Sequence, residues 1–188
     1  MVIDWLADHY HNTDVAILYL YCSYKDAAAQ TPLNMIGDLL KQIAQHKSAI
    51  TADIRQLYDR YTQQNTRPKM QEITSLLTTE MKCFSRTFIV IDALDECPER
   101  DDTRGVLLAE ILALSGDARI LITSRYSQKI EEKFKNVPHI DILATDEDIT
   151  RYVTSRIQKE RSLARLVSSN QALMEEAIKT VVEKSQGM

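Results

Sequence analysis

Apolar positions along the chain fall into two spacings. VAILYLYC (residues 15–22), FIVI within FIVIDALDEC (88–97) and the middle of ARILITSR (118–125) are unbroken apolar runs rich in β-branched residues. Such runs are expected of strands buried on both faces, as in a parallel sheet. Between them, apolar residues recur every three or four positions. Leu33, Ile36, Leu39, Leu40 and Ile43 form one stripe, opened by Thr31-Pro32, a capping hydroxyl followed by proline at the first helical position. Ile50, Ile54, Leu57, Tyr58 and Tyr61 form a second. A third begins after Pro68 with Met70, Ile73, Leu76, Leu77, Met81 and Phe84, and TRGVLLAEILAL (103–114) is a fourth.

Residues 2–10 (VIDWLADHY) have the pattern of a helix end, and a short helix follows ARILITSR. HIDIL (139–143) alternates as a last strand would. Thr145 and Asp148 form a capping box that opens DEDITRYVTSRIQ. A final helix from about Asn170 carries Leu173, Ala177, Ile178, Val181 and Val182, and is expected to stop at Gly187. Strands separated by helices predict an α/β fold: a parallel sheet with helices on both faces and a C-terminal helical tail. Right-handed crossovers open successive strand ends on one side of the sheet. With 88–92 between 15–22 and 119–123, Asp92 and Arg125 then share one edge.

That edge is where the chemistry collects. Asp92 ends a buried run, and Asp95 and Glu96 follow within four positions; open α/β sheets bind ligands at such carboxyl ends. The Asp92 carboxylate suits a hard cation such as Mg²⁺, and Asp95 and Glu96 are placed to polarise a water. Arg125, at the end of the next strand, has a guanidinium suited to a terminal phosphate. The alternative is that the three acids only cap a helix or solvate a turn. Other candidates carry less. His9 and His11 flank Tyr10 without a ligand pattern, and Cys97 has no histidine nearby in sequence, so a packed thiol is expected. Trp5 and the eight tyrosines are read as core or boundary residues, and 129–135 (KIEEKFK) as a solvated helix face.

Composition narrows the function classes. At 188 residues, 44% hydrophobic and 27% charged, the chain is an ordinary globular sequence with a net charge of −4 and no basic block, which argues against nucleic acid as the main partner. The absence of a basic groove or a second acidic strand end also disfavours a Mg²⁺-dependent nuclease. Cys22, Cys83 and Cys97 are far apart and form no CxxC, so neither a zinc site nor a disulfide framework is expected. No apolar run approaches the roughly 18 residues of a membrane span, and no signal-peptide pattern opens the sequence. A cytoplasmic protein without a membrane partner is the expectation. The four glycines, Gly37, Gly105, Gly116 and Gly187, cannot supply G-x-x-x-x-G-K-[ST], whose backbone N–H groups cradle phosphate.

FIVIDALDEC followed by ARILITSR resembles the Walker B and sensor 1 segments of NACHT-family (STAND) NTPases. The match is nearest to the nephrocystin-type N-terminal module of large fungal NOD-like and ankyrin-repeat proteins. VIDWL, VAILYLYCSYKD, QTPLNMIGDLLKQI, DEDITRYV and EKSQGM also look like that module. The resemblance implies a truncated P-loop-NTPase-like sheet, with residues 1–144 a partial nucleotide-binding core lacking its P-loop and 145–188 the start of the following helical region. It implies Asp92 as the Mg²⁺ ligand, Asp95 and Glu96 as catalytic acids near the attacking water, and Arg125 as the cofactor-binding sensor of the γ-phosphate.

Relatives carry the P-loop just before the helix matching VIDWL, and they continue beyond the final GM. The chain is therefore expected to be a piece of a nucleotide-dependent signalling switch, cut at both ends by gene fragmentation or a late start and inactive alone. Its cofactors in the intact parent would be Mg²⁺ with ATP or GTP, and its protein partners would act through flanking or oligomerising modules. The alternative is a non-catalytic pseudo-NTPase interaction module. Loss of the P-loop strand is expected to leave one edge of 119–123 unpaired and HIDIL without its neighbour.

Overall fold

The computed structural model describes residues 2–11, 13–46, 50–168 and 170–185. Its sheet has three parallel strands in the order β1 (Val15–Tyr21), β2 (Arg86–Asp92) and β3 (Arg119–Ile122). Register runs from Val15 opposite Arg86 to Tyr21 opposite Asp92, and from Phe88 opposite Arg119 to Ile91 opposite Ile122. The strand between is the one that carries the acidic end, as expected from the crossovers.

Side-chain alternation divides the sheet between two layers of unequal size. Ala16, Leu18, Leu20, Ile89 and Ile91 face the main core. There they meet Met35, Ile36, Leu39 and Ile43 of α2 (Pro32–His46), Ile73, Leu77 and Met81 of α4 (Met70–Met81), and Leu107, Leu108 and Ile111 of α5 (Thr103–Ala113). On the other face Ile17 and Val90 pack with Leu6 of α1 (Val2–His9), flanked by Ile3, Tyr10, Val15 and Phe88. Both faces of the central strand are thus covered, which is why its sequence shows no polar alternation. Full burial of side chains such as Leu18 and Ile89 contributes about 1.5–3 kcal/mol each.

Helix starts follow local chemistry. Thr31 Oγ1 accepts the Asn34 N–H at 3.3 Å ahead of Pro32. Thr51 caps α3 (Ala52–Gln63) by accepting from Ile54 N. α4 starts two residues beyond Pro68, because Glu72 reaches back to accept the Lys69 N–H at 3.0 Å. The Thr145–Asp148 box forms in both directions, at 3.2 and 3.3 Å, and opens α7 (Asp146–Lys159).

The two sheet edges are finished differently. Along β1, Gln42 of α2 acts like a neighbouring strand: its amide oxygen accepts the Tyr19 N–H and its amide nitrogen donates to the Tyr19 carbonyl, both at 2.8 Å. Gln30 repeats the device between Tyr21 O (2.8 Å) and Ser23 N (3.0 Å), and His46 Nε2 meets Ile17 O at 3.0 Å. Along β3, Thr123 turns its N–H and C=O toward Ile91 and Leu94. Ile120 and Ile122 therefore direct theirs outward, and no described side chain seals them.

Several expectations are corrected. HIDIL is not a strand; residues 138–145 have no regular structure, and Ile140 and Ile142 are 87% and 88% exposed. Alternation alone cannot hold a strand without a ladder partner, and Pro138 removes a backbone donor at its start. β3 is shorter than ARILITSR because Thr123–Arg125 turn away to bind the loop after β2. Ile50 precedes α3 and Phe84 follows α4 rather than lying within them. Trp5 is 59% exposed, stacked on His9 at 4.7 Å, and Tyr24, Tyr58, Tyr126 and Tyr152 are exposed rather than core. The 129–135 stretch is not only a solvated face, since α6 (Gln128–Phe134) buries Ile130. Gly187 lies outside the described residues.

The chain divides into two compact units, Met1–Lys135 and Asn136–Met188. The first holds the sheet. The second is α7, α8 (Arg161–Ser168) and α9 (Gln171–Ser185) packed on one another, with Asn170 Oδ1 accepting the Leu173 N–H at the start of α9. Among the described residues no helix is long and apolar enough to cross a membrane.

Candidate functional site at the C-terminal edge of the sheet

The site begins where β2 runs out of apolar residues. Asp92 is half-buried, and Ala93 then takes a left-handed backbone, φ 54° and ψ 49°. An alanine there is strained by contact between its Cβ and the backbone. The turn it makes drops Leu94, fully buried, into the main core, so Asp95 and Glu96 stay at the mouth in a single 3-10 turn, Leu94–Glu96.

The segment after β3 fastens onto this turn. The Thr123 hydroxyl donates to Asp92 Oδ1 at 2.6 Å and accepts the Ala93 N–H at 3.0 Å, while Thr123 O accepts the Leu94 N–H at 2.9 Å. Asp95 accepts the Arg125 N–H at 2.9 Å and Arg125 Nε at 2.8 Å, and Glu96 accepts an Arg125 guanidinium nitrogen at 3.3 Å. The four residues singled out from sequence are therefore brought together at one sheet edge. Arg125 binds the acidic pair directly, and Asp92 bonds to Thr123. Thr123 is the partner that sequence reasoning left without a role. Its signal was its place at the strand end, one register step beyond Ile122.

Electrostatics follow from this geometry. Burial opposes ionisation of Asp95, but the Arg125 N–H, its own N–H and the Arg125 guanidinium outweigh it and hold its carboxyl below the usual range. Arg125 is largely exposed, so its ion pairs contribute mainly orientation. Behind the turn, Glu99 bridges Lys129 and Arg104, each at 3.0 Å, and its carboxyl is lowered chiefly by the Lys129 hydrogen bond. Cys22 and Cys97, both buried, interact through their thiols. That contact and burial push Cys22 up, while the Cys22 thiol and the Arg104 charge lower Cys97.

Among the described residues no three His, Cys, Asp or Glu side chains form a metal-binding cluster. Asp92 offers a single carboxylate with one oxygen held by Thr123, and among the described residues no hydrogen bond ends on Oδ2. That donor set fits Mg²⁺, which keeps several waters and takes one or two carboxylates beside phosphate oxygens. It does not make a closed metal cage. A phosphate cradle of glycine N–H groups has no counterpart in the 188 residues.

A parallel sheet covered by helices, with an acidic strand end clasped by a T-S-R strand end, defines an α/β domain with its polar chemistry gathered at one edge. The profile of the nephrocystin 3 N-terminal family matches residues 1–125, and the chain belongs to that family. The match contains Asp92, Asp95, Glu96, Thr123 and Arg125. Neither a comparison with curated proteins nor one with solved structures returns a match.

Proposed function

We propose that this edge is the Mg²⁺ and γ-phosphate side of a nucleotide-dependent switch of the NACHT type. The observation that carries the reading is the Thr123-to-Asp92 hydrogen bond beside the Arg125-to-Asp95/Glu96 clasp, both on the carboxyl ends of neighbouring parallel strands. In this reading Asp92 would hold Mg²⁺, with Thr123 orienting its carboxylate. Glu96, with Asp95, accepts a proton from the attacking water. Arg125 exchanges its bond to the acidic pair for a bond to phosphate, which couples nucleotide state to the position of the segment after β3. Mg²⁺ would supply charge neutralisation at the phosphates. The base can be adenine or guanine, and the phosphate cradle must come from outside these residues.

A second reading has support of its own. With Arg125 already paired to two carboxylates and no cradle in the sequence, the edge also suits a non-catalytic interaction module. Joining a P-loop segment of a related module ahead of Met1 separates the two. Asp92→Ala is expected to abolish Mg²⁺-dependent nucleotide binding, whereas Glu96→Gln should bind normally and hydrolyse at least about 100-fold more slowly, the usual worth of a general base. Equal hydrolysis in Glu96→Gln and the unsubstituted chain would remove the catalytic assignment, and no binding in any version would favour the interaction module.

A further inference from the structure

Cys22 and Cys97 are 75 positions apart with no motif linking them, yet the fold buries both in the main core. Cys22 is the first residue after β1, and its N–H donates to the Asp92 carbonyl at 3.0 Å. Cys97 closes the 3-10 turn, with its N–H on Leu94 O at 3.1 Å. The thiols are 5% and 1% exposed, belong to one buried cluster and interact with each other side chain to side chain. Arg104 adds a positive charge, its Nε donating to the Cys97 carbonyl at 3.4 Å. Half-exposed residues flank both in sequence: Ser23 beside Cys22, and Glu96 and Pro98 beside Cys97. Simple core packing requires neither two sulfurs in contact nor a cation beside them.

We propose that Cys22 and Cys97 are a redox-reactive dithiol that hydrogen peroxide converts to an intramolecular disulfide, tying the end of β1 to the turn that carries Asp95 and Glu96. One sulfur attacks peroxide, the O–O bond breaks, and an S–O bond forms as water leaves; the product is a sulfenic acid. The second sulfur attacks the first, the S–S bond forms, the S–O bond breaks, and a second water leaves. The two thiols give up two electrons and two protons, and one peroxide becomes two waters. Cys83 is exposed, outside the buried pair, and takes no part. The inference does not depend on nucleotide binding.

The test uses the 188-residue chain carrying Cys83→Ser, which touches only an exposed position. After hydrogen peroxide treatment and denaturation in a thiol-blocking reagent, free thiols should fall from two to none. The chain should stay monomeric on a non-reducing gel, and peptide mapping should show one linked Cys22–Cys97 peptide that dithiothreitol cleaves. In the Cys22→Ser, Cys83→Ser chain no linked peptide should form, and a dimedone-type probe should trap Cys97 as sulfenic acid. Two free thiols persisting in Cys83→Ser under conditions that consume the Cys83 thiol of the unsubstituted chain would overturn the proposal. So would oxidation of either cysteine without linkage to the other.

Discussion

Gln42→Ala tests how the β1 edge is finished. Gln42 makes two hydrogen bonds to one residue of an edge strand, both at 2.8 Å, and no other described side chain meets the Tyr19 backbone. Each such bond nets about 0.5–1.5 kcal/mol, so the pair contributes about 1–3 kcal/mol before corrections. Tyr19 is partly exposed, so water recovers some of that loss, and alanine favours helix α2 slightly more than glutamine does. A net cost of about 1–1.5 kcal/mol remains, which for a chain of this size lowers Tm by about 2–6 °C. The unsealed edge should also pair with other chains. Thermal melts followed by far-UV circular dichroism measure the first effect, and size-exclusion chromatography over a concentration series measures the second. Gln42→Glu separates the two bonds, because the carboxylate still accepts from Tyr19 N but can no longer donate to Tyr19 O. A Gln42→Ala chain as stable as the parent, with unchanged elution at every concentration, would refute the argument that this side chain finishes the edge.

Two further outcomes follow from the acidic turn. Ala93→Gly should stabilise the chain by about 0.5–1 kcal/mol, since glycine removes the left-handed strain of Ala93 at the cost of some unfolded-state entropy; urea titration measures it. Asp95 has a depressed folded-state pKa, so its contribution to stability is full above its unfolded value near 3.9 and is lost as pH falls from there through the folded value. Asp95→Asn should therefore be less stable than the parent at neutral pH, with the difference shrinking in urea titrations below about pH 4; a pH-independent difference would mean that Asp95 acts by packing rather than by charge.

The parts of the fold legible in the sequence are those set by local spacing. The continuous apolar run of β2 announced burial on both faces, whereas the run of β1 buries one face and leaves Tyr19 and Tyr21 exposed on the other; Thr31-Pro32 and Thr145/Asp148 announced helix starts. The placement of Asp92, Asp95, Glu96 and Arg125 at one edge followed from strand order alone. What stayed hidden depends on contacts between distant segments. HIDIL looked like a strand because alternation is local, whereas a strand exists only with a ladder partner. The seal of Gln42 and Gln30 on β1 is invisible in sequence, since glutamine on a helix reads as solvated. The role of Thr123 also required knowing that its hydroxyl bridges Asp92 and Ala93. The approach of Cys22 to Cys97 depends on the register of β1 against β2, which no motif encodes.

The central claim is that Asp92, Thr123 and Arg125 form the metal and phosphate side of a nucleotide site. Paramagnetic Mn²⁺, standing in for Mg²⁺, tests it in the 188-residue chain when added with ATP or GTP and followed by residue-resolved NMR. The account predicts weak binding, with Kd about 1 mM or higher because no glycine cradle is present, and selective broadening at Asp92, Ala93, Thr123 and Arg125 that disappears in Asp92→Ala. Micromolar affinity, broadening centred elsewhere, or a pattern unchanged in Asp92→Ala would contradict it.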